Sequence, residues 1–348
     1  MVVLKTNWKL LAIIATGIVL LPSPALANAG TPLIWKATLH LFLGNAIIGL
    51  VEGLLLSKLF QTSSRKSIQI LIIANYVSAW VGTLLMIDRL SNISFITIEN
   101  AYFWLGIFVI LTFVVTLFLE YPFFWFVLKK QQKALQKALK ATLIIHSISY
   151  ILLFGWYATS SQVSMLTQLD VVSAQQIQLQ EEYELYFLTP DSKQVVRSNL
   201  QGKNQEVVKE IKEIGKDSKL FVRQNEESKF NLLVNGEIIL ADFASLARPR
   251  PPLYEPVPKL TENTNWEYRT VVWAAGGIMG NNKKEKLNFQ FALETPFTVW
   301  RVSNATQLEE DSVVFQLGEN QVCILQPQEK RIALIAKGRE PVVVKPKL

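Results

Sequence analysis

The sequence predicts two parts of opposite character: an α-helical membrane bundle with four transmembrane helices, then an all-β extracytoplasmic domain built of propeller-like hairpins or a sandwich. Three observations carry this. Of 348 residues 50% are hydrophobic and only 18% charged, below the quarter or so of an ordinary soluble domain. The charge is also uneven. Residues 1–159 hold twelve Lys/Arg against Glu52, Asp88, Glu99 and Glu120, a balance of +8, and the remainder holds 23 against 24. Finally, from about Glu182 the pattern changes to period two, with β-branched and aromatic residues between turn signals.

The boundaries follow from these shifts: a signal peptide at 1–29, a transmembrane domain at 30–159, a connector at 160–181, and a β domain at 182–348. The opening segment has Lys5 and Lys9, an apolar core from Leu10 to Leu21, and the small-x-small triplet Ala25-Leu26-Ala27, the pattern of an export signal. The spans fall at roughly 33–57, 68–88, 101–128 and 141–159, each about the length a bilayer requires. Lys58, Arg65 and Lys66 connect the first two, and Lys129, Lys130, Lys133, Lys137 and Lys140 follow the third. Short loops rich in Lys/Arg stay cytoplasmic. Both loops and the signal thus predict one orientation, with the β domain on the periplasmic or lumenal side of a bacterial plasma or thylakoid membrane.

Each span carries a line of small or polar residues on one helical face: Asn45, Gly49, Glu52 and Gly53; Asn75, Ser78 and Gly82; Thr112, Thr116 and Glu120; Thr142, His146, Ser149 and Tyr150. Glu52, Asn75, Glu120 and His146 also agree in depth to about one helical turn at about 1.5 Å per residue. An ionisable group in the bilayer costs at least about 2.5 kcal/mol, so such groups face the bundle interior and mark function. Asn45, Glu52, Asn75, Glu120 and His146 are therefore the expected intramembrane cluster, a proton or cation site or else interhelical glue. Whether it takes a metal is left open. Gly49, Gly53 and Gly82 are the expected helix-packing positions, and Pro122 is expected to bend the third span. His40, in the outer half of its span, is expected to be packed or water-facing. The lysine run has helical spacing, with Leu135 and Leu139 on one side, and reads chiefly as a positive-inside anchor extending from the third span, the alternative being binding to anionic headgroups or to a partner helix.

In the β part three hairpin-like units line up: "YFLTPDSKQVVRSNLQGK", "LFVRQNEESKFNLLVNGE" and "VVFQLGENQVCILQPQEK". "KRIALIAKGREPVVV" reads as two more strands around Gly338. Arg248–Pro258 is a proline-rich linker, the glycines after Ala274 form a flexible turn, and Trp266, Trp273 and Trp300 are core residues. The lone Cys323 excludes an intrachain disulfide and a CxxC-type zinc cluster. Both histidines lie in apolar segments, which removes His-based catalysis from this half. The basic residues sit in the apolar half rather than on a soluble module, so no nucleic acid is expected.

The strings "GNAIIGLVEG", "ANYVSAWVG", "LEYPFFWFVL" and "SYILLFGWY" resemble a family of bacterial multi-pass membrane proteins of unknown function, cyanobacterial ones among them. The resemblance implies the four-span topology and no activity. The leading expectation is an integral membrane accessory or scaffold protein whose exported β domain binds a partner protein. The alternative is a small oligomeric transporter, or an ion- or proton-coupled gate, using the buried carboxylates. Neither a catalytic residue nor a cofactor is expected. The expected partners are the bilayer, another membrane or exported protein, and further copies of the chain.

Overall fold

The computed structural model describes residues 37–90, 95–161, 168–211, 218–248, 256–261, 264–270, 277–282, 284, 287–291, 293–294, 299–309 and 311–347. The expected signal peptide, the loop at 91–94, Trp273 and most of the proline-rich linker lie outside them. The chain divides into two compact units: residues 1–88 with 109–162, and residues 89–108 with 163–348.

The first unit is helical. A π-helical turn, His40–Gly44, leads into α1 (Asn45–Phe60), followed by α2 (Ser64–Leu90), α3 (Ala101–Leu128) and α4 (Ala134–Ser161). α3 begins in the second unit and enters the first at Val109. The third and fourth helices fall where hydropathy placed them, except that α4 starts before Lys137 and Lys140, so part of the lysine run is helical. The count of spans among the described residues is three, not the expected four. Among the described residues, Ala37–Phe60, Ala101–Leu128 and Ala134–Ala158 are long and apolar enough to cross a membrane. α2 carries Arg65 and Lys66 in its first turn, ahead of the apolar run that begins at Ile68, and most of its side chains past Gly82 lie outside those described.

The helical unit packs with its polar residues inward. Leu56, Leu71, Ala74, Phe124, Leu128, Ala138, Ala141 and Ile145 form its small apolar core. Phe118, Ile151 and Phe154 are at least two-thirds exposed. Such a surface needs an apolar solvent, which is what associates these helices with a membrane.

Among the described residues the second unit is all-β apart from a short 3₁₀ turn, the last residues of α2 and the start of α3. One five-stranded sheet runs Asp170–Ser173, Arg331–Lys337, Gln321–Gln326, Val313–Leu317, Val302–Gln307. Its first pair is parallel and the rest antiparallel. A second runs Glu206–Glu210, Gln194–Asn199, Glu184–Leu188, Arg339–Pro346, Ala244–Leu246. A three-stranded meander, Leu220–Gln224, Phe230–Val234 and Glu237–Leu240, turns between its last two strands at Asn235-Gly236, both at positive φ. That dipeptide is the preferred filling of a tight hairpin. A further three-stranded sheet joins Leu287–Phe291, Ile278–Asn282 and Trp266–Thr270, and a two-stranded ribbon joins Leu293–Glu294 to Val299–Trp300.

The three hairpin-like units are each an antiparallel pair. The strands flanking Gly338 also form, as Arg331–Lys337 and Arg339–Pro346. Two details differ from the sequence pattern. Within the expected connector, 160–181, Asp170–Ser173 is a sheet strand. The glycine-rich stretch is not a turn at Gly280, which lies inside Ile278–Asn282. Phe315, Cys323, Tyr268, Trp266 and Trp300 share one buried core with Ile96 and Ile98, and Gln321 Oε1 accepts from the Ile98 backbone N–H at 2.9 Å.

Candidate functional site

The site begins with two glycines. A Cβ placed on Gly49 would lie 2.5 Å from the Ile72 Cα, and one on Gly53 would lie 2.5 Å from the Ile68 Cα. α1 and α2 therefore meet backbone to backbone, as small residues four apart allow. Glu52 stands between these glycines in sequence and is buried with them. Close approach of the helices delivers its carboxylate to Asn75 of α2, whose Nδ2 donates to Glu52 Oε2 at 2.7 Å. A second hydrogen of the same amide goes to the Leu71 carbonyl at 3.0 Å and fixes its orientation.

His146 of α4 lies on the other side of the carboxylate. Its Nδ1 is hydrogen-bonded to Glu52 Oε1 at 3.0 Å, and its Nε2 faces Glu120 Oε2 of α3 at 3.6 Å. Glu120 Oε1 accepts from Ser78 Oγ of α2 at 2.6 Å. The Phe124 ring, one turn beyond Glu120, packs edge-on against the imidazole with centroids 5.3 Å apart. Glu52, Glu120 and His146 are each 1% exposed. The result is one chain of groups across all four helices: Asn75, Glu52, His146, Glu120, Ser78.

Four of the five cluster residues expected from the sequence thus meet. Asn45 is buried but donates to the Leu41 carbonyl in its own helix, at 3.0 Å, and does not join them. Gly82 is corrected as a packing position: nothing among the described residues comes within 4 Å of a Cβ placed there. Ser78 was legible only as a member of the polar face, since it follows Asn75 by three residues. Thr116 Oγ1 and Tyr150 Oη meet at 3.0 Å, four residues from Glu120 and His146 respectively, and tie α3 to α4. His40 makes a separate pair, its Nδ1 2.9 Å from the Tyr157 hydroxyl.

Ligand atoms of Glu52, Glu120 and His146 lie within 4.8 Å of one another, the one group of this kind among the described residues. The imidazole, however, stands between the carboxyls with one nitrogen toward each. That arrangement suits a ring that takes a proton on one side and gives it on the other. It does not suit three donors converging on one ion. Charge balance points the same way. The three groups are neutral together when they share two protons, and a net charge in so dry a place is expensive.

No protein-family model matches the chain, and no curated protein matches it. Among solved structures, the crystal structure of TolB from Acinetobacter baumannii aligns at 8% identity with a TM-score of 0.14, covering 56% of this chain and 59% of that one. At that score the alignment carries no argument about fold or function.

Proposed function

We propose that this is an integral membrane protein whose helical bundle binds and passes a proton, as a small transporter or proton-coupled gate working in an oligomer. One observation carries the reading: His146 stands between two buried carboxyl groups, bonded to Glu52 at 3.0 Å and facing Glu120 across 3.6 Å. Loading the Glu120 side and unloading the Glu52 side requires only that the 3.6 Å gap close. Because the neutral state holds two protons, entry of a third favours release of one, which ties movement to exchange. The basic loops favour placing the β domain on the periplasmic or lumenal side. The test is proton flux into liposomes containing the full chain. Glu52→Gln or Glu120→Gln abolishes it while the protein still folds, and unchanged flux in both variants overturns the reading.

A second reading, an accessory protein whose β domain holds an exported partner, is favoured by a different feature. The strands Glu206–Glu210 and Glu237–Leu240 lie at sheet edges and present exposed apolar side chains, Val207 and Ile238. Unpaired edges of this kind accept an added strand. Native separation after mild extraction tests it: a co-migrating partner is lost from Val207→Lys or Ile238→Lys protein, and a partner that stays with both rejects the edges as its seat.

A further inference from the structure

On the outer face of the helical unit, α2 and α3 enclose an apolar groove of about 340 Å³ lined by Ile70, Ile73, Pro122, Phe123 and Phe126. At one end of it two lysines converge. Lys66 Nζ lies 4.9 Å from the centroid of the Phe126 ring and Lys129 Nζ lies 4.3 Å from it. The spacing that produces this is matched on the two antiparallel helices. Lys66, Ile70 and Ile73 follow at four and three residues on α2, and Pro122 and Phe126 lie four apart on α3, with Lys129 three residues on in the turn just past its end. Residues so spaced share a helical face, so each helix contributes an apolar stripe ending in an ammonium group.

Two cations drawn to one ring repel each other, and cation–π attraction to a phenyl face is modest. Neither lysine forms an ion pair among the described residues. The sequence around them offers no acid either: none occurs from Gly53 to Ile87 or from Tyr121 to Leu169. Glu52 and Glu120 are committed to the buried chain with His146. The end of the bundle that carries Lys66 and Lys129, with Lys130, Lys133 and Lys140 beyond them, therefore draws an outside counter-charge, and beside this groove that charge must come attached to something apolar.

We propose that the groove seats one anionic phospholipid, an acyl chain lying along Ile70, Ile73, Pro122 and Phe123 and its phosphate held between Lys66 and Lys129 at Phe126. A phospholipid is the occupant whose chemistry matches both halves, an acyl chain for the groove and a fixed negative charge at its rim. This site is separate from the carboxylate–imidazole chain and stands whether or not that chain moves protons.

The experiment is native mass spectrometry of delipidated full-length protein titrated with phosphatidylglycerol or with phosphatidylcholine of the same acyl chains. The native protein retains one phosphatidylglycerol in preference to phosphatidylcholine by about tenfold or more. The Lys66→Gln/Lys129→Gln double variant loses that preference, and Lys133→Gln/Lys140→Gln, which removes the same charge away from the groove, keeps it. Filling the groove with Ile73→Trp, at an exposed position, releases the lipid while both lysines remain. Equal losses from the two lysine pairs would show a diffuse positive surface and overturn the proposal. So would unaltered lipid retention in Ile73→Trp, or a groove found to be covered by a second copy of the chain.

Discussion

Glu120 Oε2 and His146 Nε2 face each other across 3.6 Å, and neither atom has a hydrogen-bond partner, whereas the opposite edge of the same imidazole is bonded to Glu52 at 3.0 Å. A buried polar atom left unbonded costs about 1–3 kcal/mol. Two such atoms aimed at each other are therefore a contact held open. The bonded side is reinforced by Asn75 and the open side by Ser78, so both carboxyls are positioned while the ring between them retains a choice of partner.

Removing the ring tests that coupling. His146→Leu leaves Glu52 and Glu120 buried without their shared partner, and costs about 3–5 kcal/mol as the breaking of a buried pair does. Glu52→Gln keeps the shape and the capacity to bond Asn75 and His146, and costs about 1 kcal/mol. Thermal unfolding of the full chain in detergent measures both, together with the double variant. A double variant whose loss equals the sum of the two single losses would mean that the two groups act independently.

The α1–α2 contact gives a prediction with a built-in control. Gly53→Ala drives a methyl group into the Ile68 backbone, where no flexible side chain can yield. The expected loss is about 1–3 kcal/mol, the range of overpacked cores. Gly82→Ala, with open space at its Cβ, changes stability by less than about 0.5 kcal/mol. Equal effects at the two glycines would remove the close helix approach that brings Glu52 to Asn75.

Burial pushes the Cys323 thiol well above its ordinary value, with the nearby Glu99 carboxylate adding to the shift. A raised value favours the neutral thiol in the folded state. The stability it lends is full below the ordinary thiol value of about 8.5 and declines as pH rises beyond it, because only the unfolded chain then ionises freely. Alkylation of Cys323 should accordingly stay slow from neutral pH to pH 9 in folded protein and become rapid in denaturant. A rate that climbs with pH under native conditions, as for a free thiol, would place Cys323 outside the core.

The buried chain was legible before the fold because helical spacing and depth are both written in residue numbers: Glu52, Asn75, Glu120 and His146 agree in each. Asn45 passed the same tests of face, yet its amide found a carbonyl in its own helix, a local bond that periodicity does not distinguish from an interhelical one. Gly82 failed because spacing says which face a glycine occupies and nothing about how near the next helix comes. The strands around Gly338 and the three hairpins were readable from alternation and turn residues. Their assembly was not, since Asp170–Ser173 pairs with Arg331–Lys337 across most of the β unit, and no local pattern encodes a partner so far away. The lysines at Phe126 were visible as charge, but their shared ring required two helices to be set side by side.

The position of Arg339–Pro346 has a consequence for how the β unit is made. This strand, the last among those described, is inserted between Glu184–Leu188 and Ala244–Leu246, and the strand just before it, Arg331–Lys337, closes onto Asp170–Ser173. Both five-stranded sheets thus await residues synthesised more than a hundred positions after their first strands. Loop closure on that scale is slow. While the chain is being made, the early hairpins must wait with open edges. A chain interrupted near Gly338 would therefore fail in both sheets at once, and its half-built strands would be the first surface a protease or chaperone encounters.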